Sequence, residues 1–301
     1  MTSSTDARTG LPSLTTVIAV GTAKGGNGKT SVAANLAALL ATNGWKVLAI
    51  AVDPSDDLGE EFGYYHRGES DHGAALAAAL LHTQPLTPTL RDVRPGLDVI
   101  CAGRHLEDTA VELTRSEAPP TVLADALLPL APDYDFVVLD CPPGHKLLQR
   151  IAFCAARWIL VTTGPDLSSR KNIGELAVEA AAAREHNPSL ELLAVLLFNI
   201  PAGATRIRAD VRSYIETELD GIAPVLNTSI RTAVAAGVAS RDRGVVMHEL
   251  AQIPQPRFWE IRRKQAEDAG IPASAAKVAE DYMAAIEEML EIMAARKEQQ
   301  R

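Results

Sequence analysis

Cysteine and aromatic side chains are scarce in this chain. It holds three cysteines in 301 residues, and Phe, Tyr and Trp together make up 4% of it. Cys101, Cys141 and Cys154 are odd in number, and two lie in or beside apolar segments. They read as reduced core thiols in a reducing compartment rather than as a disulfide framework. No Cys or His spacing suits zinc or an iron–sulfur cluster. Long apolar runs are missing too: Arg157 interrupts the one that starts at Ile151, so no transmembrane helix is expected. Positive charge is not in excess. The net charge is −9, which excludes a surface that attracts nucleic acid all over. There is no internal repeat. Residues 1–14 have neither an apolar core nor a cleavage pattern, which predicts a disordered polar tail rather than a signal peptide.

What is present is the material of a globular protein. The hydrophobic fraction is 47% and the charged fraction 22%, enough for one sizeable core. Residues 15–301 are expected to form a single domain. Apolar runs alternate with helical patterns. Strands are expected at 17–21, 47–52, 97–102, 136–140, 158–163, 192–198 and 223–227. Helices are expected near 29–42, 73–82, 120–131, 146–156, 168–186, 205–219 and 274–296. Such alternation implies an α/β fold, a mostly parallel, doubly wound sheet flanked by helices.

One segment carries most of the chemistry. Gly21 to Ser31 read Gly-Thr-Ala-Lys-Gly-Gly-Asn-Gly-Lys-Thr-Ser, after the apolar run Val17-Ile18-Ala19-Val20 and before a helical stripe of Val32, Leu36, Leu39 and Leu40. Strand, glycine loop, Lys-Thr and helix is the context that makes a phosphate-binding loop credible. Glycines let successive backbone N–H groups turn toward one centre, and the helix start adds its positive dipole end. Residues Lys24, Gly25, Gly26, Asn27, Gly28, Lys29, Thr30 and Ser31 are therefore the expected nucleotide cradle. Lys29 supplies a point charge to the outer phosphates and Thr30 a hydroxyl to Mg²⁺.

Two aspartates follow at strand ends. The run Val47-Leu-Ala-Ile-Ala-Val-Asp53-Pro54 ends where proline stops a ladder. The run Phe136-Val-Val-Leu-Asp140 has the form of a Walker B strand, whose terminal carboxylate holds Mg²⁺, usually through water. The loop, Asp53 and Asp140 thus all fall at strand C-terminal ends, where open α/β sheets bind ligands.

The early lysine narrows the class. Lys24-Gly-Gly-Asn-Gly-Lys29-Thr30 resembles the deviant Walker A motif of the ParA/MinD family of dimeric ATPases, and Asp140-Cys-Pro-Pro resembles the ParA pattern. The likeness runs from about Val17 to about Leu250, including Trp158 to Pro165, Asp166 and Ser168, and the late Ser229-Ile230-Arg231 and Gly244-Val245-Val246 segments. It implies ATP with Mg²⁺ and a sandwich homodimer in which Lys24 reaches the partner's phosphates. It implies that Asp53 positions the attacking water. Asn199, at the end of an apolar strand, is either a reader of the adenine edge or a turn residue.

The same resemblance implies slow, partner-stimulated ATP hydrolysis, non-specific DNA binding by the ATP dimer and a ParB-like adaptor. The expected role is segregation of plasmid or chromosome DNA, from a cytoplasmic, nucleoid-associated position. Candidate DNA contacts are Arg231, Arg241 and Arg243, and Arg262, Arg263 and Lys264, with Arg257 beside the latter and Arg206, Arg208 and Arg212 as a further cluster. Phe258 and Trp259 read as packing residues. The last helix carries Val278, Tyr282, Ile286, Met289, Leu290 and Met293 on one stripe, and Glu280, Asp281, Glu287, Glu288 and Glu291 opposite. An acidic face is repelled by anionic lipid, so no membrane docking is expected.

Four positions depart from the family pattern: Ala51, Ser55, Asn27 and Gly144-His145-Lys146. Ala51 stands where the family has an aspartate that helps to hold the metal's water shell, which bears on hydrolysis rate. Two further roles stay open: positioning of another cargo through a different adaptor, and an ATP-gated regulatory or scaffold protein with negligible hydrolysis. A metabolic synthetase or reductase of the same superfamily ranks behind these, and the lack of cluster-binding cysteines counts against the nitrogenase iron protein branch.

Overall fold

Val17–Gly21 (β1), Val47–Ala51 (β2) and Trp158–Thr163 (β6) are buried at every position, as strands covered on both faces must be. In the computed structural model, which describes residues 14–22, 24–166, 173–254 and 270–299, they form the middle of one sheet. The remaining strands are Leu90–Arg94 (β3), Leu97–Ile100 (β4), Phe136–Asp140 (β5), Glu191–Ile200 (β7) and Val225–Arg231 (β8). The order across the sheet is β3-β4-β2-β5-β1-β6-β7-β8. Every pairing is parallel except β3 with β4, so the mostly parallel sheet is as expected.

The helices are Lys29–Thr42 (α1), Leu58–Phe62 (α2), Ala74–Leu80 (α3), Arg104–Arg115 (α4), Val122–Leu127 (α5), Lys146–Ala155 (α6), Ile173–Arg184 (α7), Thr205–Leu219 (α8), Val234–Arg243 (α9), Met247–Gln252 (α10) and Ala275–Gln299 (α11). Helix α1 is buried from Lys29 to Ala41 apart from Ser31, so it runs through the core rather than along its surface.

Several elements lie where none was expected. Strand β3 is a half-exposed edge strand, Leu-Arg-Asp-Val-Arg, too polar and too short to stand out from a loop. Helix α4 buries Leu106, Ala110 and Leu113, a spacing of one helical face. Helices α2, α9 and α10 are short or weakly patterned. Ser168, Arg257, Phe258, Trp259, Arg262, Arg263, Lys264 and residues 1–13 of the tail lie outside the described residues.

Helix α11 packs against β8, α10 and α1. Val278, Tyr282, Ile286, Met289 and Met293 are buried, as the stripe predicts. Part of the acidic face does not point to water. Asp281 takes Arg231 through two guanidinium bonds of 2.6 and 2.7 Å and accepts from the Arg231 amide at 3.0 Å. Glu288 accepts from the amides of Asn227 and Thr228 at 2.6 and 3.0 Å. These carboxylates satisfy N–H groups along edge strand β8, which would otherwise offer a template for pairing. No described helix is long and apolar enough to cross a membrane.

Candidate nucleotide site

The sheet order brings the site together. Strands β2, β5 and β1 are adjacent, with Ala51 opposite Asp140 and Val20 opposite Asp140 in register. The C-terminal ends of the three strands therefore present Asp53, Asp140 and the phosphate loop to one point.

The loop is built on glycine conformations. Gly26 has φ +83° and Gly28 φ +73°, the left-handed region that L side chains avoid. Gly28 is fixed twice over, because a Cβ there would lie 2.3 Å from the Phe198 ring. Gly28 also caps α1, and no side chain bonds into that helix start. The first amides of α1 are thus available to an anion. Gln149 of α6 donates to the Thr22 carbonyl at 3.4 Å, and the Thr22 hydroxyl donates to the Lys24 carbonyl at 3.1 Å, which ties the loop's entry to the body.

Substituting Gly28 by Ala is expected to destabilise the fold twice. The left-handed backbone costs about 1–2 kcal/mol, and crowding against Phe198 adds about 1–3 kcal/mol. Thermal denaturation should show Gly28→Ala costing only the first part when it is made in a Phe198→Ala background, since truncating Phe198 carries its own cost. Equal melting points for Gly28→Ala and wild type would contradict the geometry.

Lys29 sits at the centre of the charges. Its Nζ lies 2.8 Å from Asp140 Oδ1, 3.1 Å from Asp53 Oδ2 and 3.2 Å from Thr30 Oγ1. The Thr30 hydroxyl donates to Asp140 Oδ2 at 2.9 Å. Asp140 is wholly buried and Lys29 is 6% exposed. Burial by itself pulls the Lys29 ammonium down, but Asp140 and then Asp53 outweigh it, and the lysine is held above its ordinary value. Burial pushes the Asp140 carboxyl up, and the Lys29 ammonium is the largest influence against that. The ammonium is thus the charge that keeps a buried carboxylate tolerable.

The donor set fits a nucleotide with Mg²⁺. Two carboxylates and a hydroxyl supply hard oxygen donors, the ammonium is left to meet phosphate, and the charged groups together leave one negative charge over. That is the arrangement Mg²⁺ uses, with one or two carboxylates and the rest from phosphate and water.

Lys24 lies outside this cluster, 44% exposed, and its Nζ pairs with Asp166 Oδ1 at 3.1 Å. Asn27 reaches the Thr22 hydroxyl at 3.5 Å. Asn199 is exposed at the end of β7, with φ +61° and its carbonyl accepting from Thr232 at 2.9 Å. Next to it, Ile200 to Thr205, Arg208, Ser229, Arg231 and Asp281 line a shallow pocket of about 170 Å³.

Arg231, Arg241 and Arg243 have internal partners. Arg231 is bound to Asp281, and Arg241 Nε donates to Glu61 at 3.0 Å and its terminal nitrogen to Ser31 at 3.3 Å. Arg243 donates to the Ala239 carbonyl at 3.3 Å. A phosphate would have to compete with Asp281 and Glu61 for the first two. Arg206 and Arg208 are exposed in the first turn of α8.

Several site residues carried no sequence signal. Glu61 is 2% exposed, accepts the Ser31 hydroxyl at 2.6 Å and holds Arg241; Tyr282 of α11 also reaches Ser31. Ser31 follows Thr30 directly, so α2, α9 and α11 are all wired to the helix start that follows the glycine loop. Glu61 and Arg241 are 180 residues apart, and no local spacing reports such a pair. Gln149 and Phe198 were equally silent.

A phosphate loop entering a buried helix, with an aspartate at the end of the neighbouring parallel strand, defines a P-loop nucleotide-binding protein. The AAA domain family model matches residues 15–192. The chromosome partitioning protein ParA of Caulobacter vibrioides is 31% identical over 185 residues, covering 60% of this chain and 68% of that protein. The Cyanothece apo McdA structure superposes with a TM-score of 0.72 at 18% identity, over 91% of this chain and 99% of that one. Cobyrinic acid a,c-diamide synthase from Mycobacterium smegmatis, solved with bound ADP and magnesium, gives a TM-score of 0.64 at 25% identity, over 76% and 92%. The chain belongs to the ParA/MinD family of P-loop ATPases.

Proposed function

We propose that this protein is a ParA-type ATPase that binds non-specific DNA as an ATP-bound sandwich dimer and drives segregation of plasmid or chromosome DNA. The observation that carries the reading is the pair of lysines in the loop. Lys29 is buried among Asp53, Asp140 and Thr30, whereas Lys24 is half exposed at the rim on Asp166. A lysine at the rim serves a phosphate of a partner subunit better than one of its own, which the helix start and Lys29 already serve.

In this reading residues 24–31 cradle ATP, and Thr30 and Asp140 hold Mg²⁺, which supplies charge neutralisation at the phosphates when bound. Asp53 orients the attacking water. Its Oδ1 accepts from the Ser55 amide at 3.1 Å while Oδ2 faces Lys29, so its position is set from two sides. Asn199 and the adjoining pocket take the base end. Dimer closure joins the basic residues of two subunits, so ATP controls DNA binding as a shift of population. Arg231, Arg241, Arg243, Arg262, Arg263 and Lys264 are the proposed contacts, with exposed Arg206 and Arg208 beside them. A ParB-like adaptor stimulates hydrolysis and the dimer releases DNA.

One feature favours a second reading. Ala51, fully buried, lies opposite Asp140 in register, so the metal side of the site has one carboxylate fewer than the family pattern. An ATP-gated scaffold with negligible hydrolysis follows from that. Retention of non-specific duplex DNA with ATP and not with ADP tests the first reading; no retention in any nucleotide state contradicts it.

A further inference from the structure

Asp53 is followed by a second buried aspartate. Asp56 is 5% exposed and has φ +54°, a left-handed conformation for a non-glycine residue. Its side chain is fully engaged. Oδ1 accepts from the Tyr64 hydroxyl at 2.6 Å and from the Ala102 amide at 3.2 Å, and Oδ2 accepts from the Ser70 hydroxyl at 3.0 Å. Its backbone is engaged as well: the Asp56 amide donates to the Asp53 carbonyl at 3.0 Å, and the Gly59 amide donates to the Asp56 carbonyl at 2.8 Å. One residue thus ties the turn after β2 to the segment after β4 and to the loop between α2 and α3.

We propose that Asp56 is a positioning residue for hydrolysis, holding the 53–56 turn so that the Asp53 carboxylate keeps its place beside Lys29. The inference rests on the ATPase reading and adds to it a residue that never meets the nucleotide. Three arguments support it. The first is the short path: Asp53 and Asp56 are the two ends of one hydrogen-bonded turn, and Ser55 inside it bonds the Asp53 side chain. The second is that the anchor is rigid. Ala102 and Gly103 pass so close to His72 and Gly73 that a Cβ on Gly103 would lie 2.6 Å from the His72 carbonyl carbon, so the wall that Asp56 grips has no room to move. The third is the strain of the left-handed backbone, which persists only where surroundings over-determine it, as they do at functional sites. Burial pushes the Asp56 carboxyl up to about 6, against the bonds from Tyr64, Ala102 and Ser70.

Asparagine can keep this geometry. Its carbonyl accepts from Tyr64 and Ala102, and its amide donates to the Ser70 oxygen. Alanine keeps none of the three. Catalysis is sensitive to such loss, since a displacement of about 1 Å away from the chemistry can cost on the order of 100-fold in rate.

The test compares wild type, Asp56→Ala, Asp56→Asn and Tyr64→Phe by three measurements: ATP affinity, single-turnover hydrolysis with Mg²⁺, and amide hydrogen exchange. Asp56→Ala is expected to lose about 10- to 100-fold in hydrolysis with ATP affinity nearly unchanged. Exchange should quicken at 53–59 and stay slow in α1. Asp56→Asn should restore most of the rate and the protection, and Tyr64→Phe should show the same pattern at smaller size, which keeps the test open if Asp56→Ala does not fold. Wild-type exchange and rate in Asp56→Ala would overturn the inference, as would a loss spread evenly over the sheet and ATP affinity. If wild type hydrolyses no ATP, the ATPase reading falls, while exchange at 53–59 still decides whether Asp56 holds the turn.

Discussion

Replacing Lys29 by Met should lower stability at pH 7 by about 3–5 kcal/mol, the usual cost of leaving one member of a buried ion pair without its partner. Against a total of about 5–15 kcal/mol for a folded domain, that is a large fraction. The loss should depend on pH with a definite sign. The Asp140 carboxyl is raised in the folded protein by burial, with Lys29 opposing. An acid raised by folding contributes stability that is present below its unfolded value and lost as pH rises through its folded value. Without the ammonium the folded value climbs further. The deficit of Lys29→Met should therefore be largest at neutral and alkaline pH and shrink on acidification, as Asp140 takes up a proton. Denaturant titrations of both proteins between pH 4 and 8 check this. Nucleotide affinity should fall as well, by about 2–5 kcal/mol if Lys29 makes the expected phosphate pair. A variant as stable as wild type at pH 7 would show that the Lys29–Asp140–Asp53 cluster is not the electrostatic centre described above.

Substituting Asp53 by Asn should separate binding from turnover. Asparagine keeps an oxygen for the Ser55 amide, so the turn survives. What disappears is the negative charge beside Lys29 and the group proposed to orient water. Acid–base groups of this kind contribute about 10²- to 10⁴-fold, and hydrolysis should fall by at least about 100-fold while ATP stays bound. Single-turnover assays with Mg²⁺ and radiolabelled ATP measure both quantities in one sample. Unchanged turnover in Asp53→Asn would remove Asp53 from the mechanism. Negligible turnover in wild type, with ATP bound, would favour the scaffold reading that Ala51 opens.

The parts legible in the sequence are those written in consecutive residues. The bounds of β1, α1, β5 and β6 are as the apolar runs and the glycine loop predict, because buried parallel strands and a core helix leave little room for polar interruption. Asp140 was readable for the same reason: it ends an unbroken apolar strand. What escaped is held by contacts across the fold. Glu61, Arg241 and Tyr282 meet at Ser31 only because α2, α9 and α11 converge on the start of α1. The clasp of Asp281 and Glu288 on β8 likewise turns two acids of the last helix's polar face into caps of an edge strand. Strand β3 was missed because an edge strand has one side facing water and needs no apolar run. Asp56 looked like one more polar residue in an Asp-Pro-Ser-Asp-Asp turn, and only Tyr64, Ser70 and Ala102 around it reveal its role.

The central claim is that ATP makes a dimer in which Lys24 completes the partner's site and DNA is held. The measurement is binding to non-specific duplex DNA with ATP, with ADP and with no nucleotide, over a salt series, for wild type and Lys24→Ala. Lys24 is half exposed on Asp166, so its removal leaves the buried cluster around Lys29 intact. The account predicts binding with ATP alone, weakening steeply as salt rises because phosphate contacts release counterions, and absent in Lys24→Ala. DNA binding that ignores nucleotide, or that survives unchanged in Lys24→Ala, would contradict it.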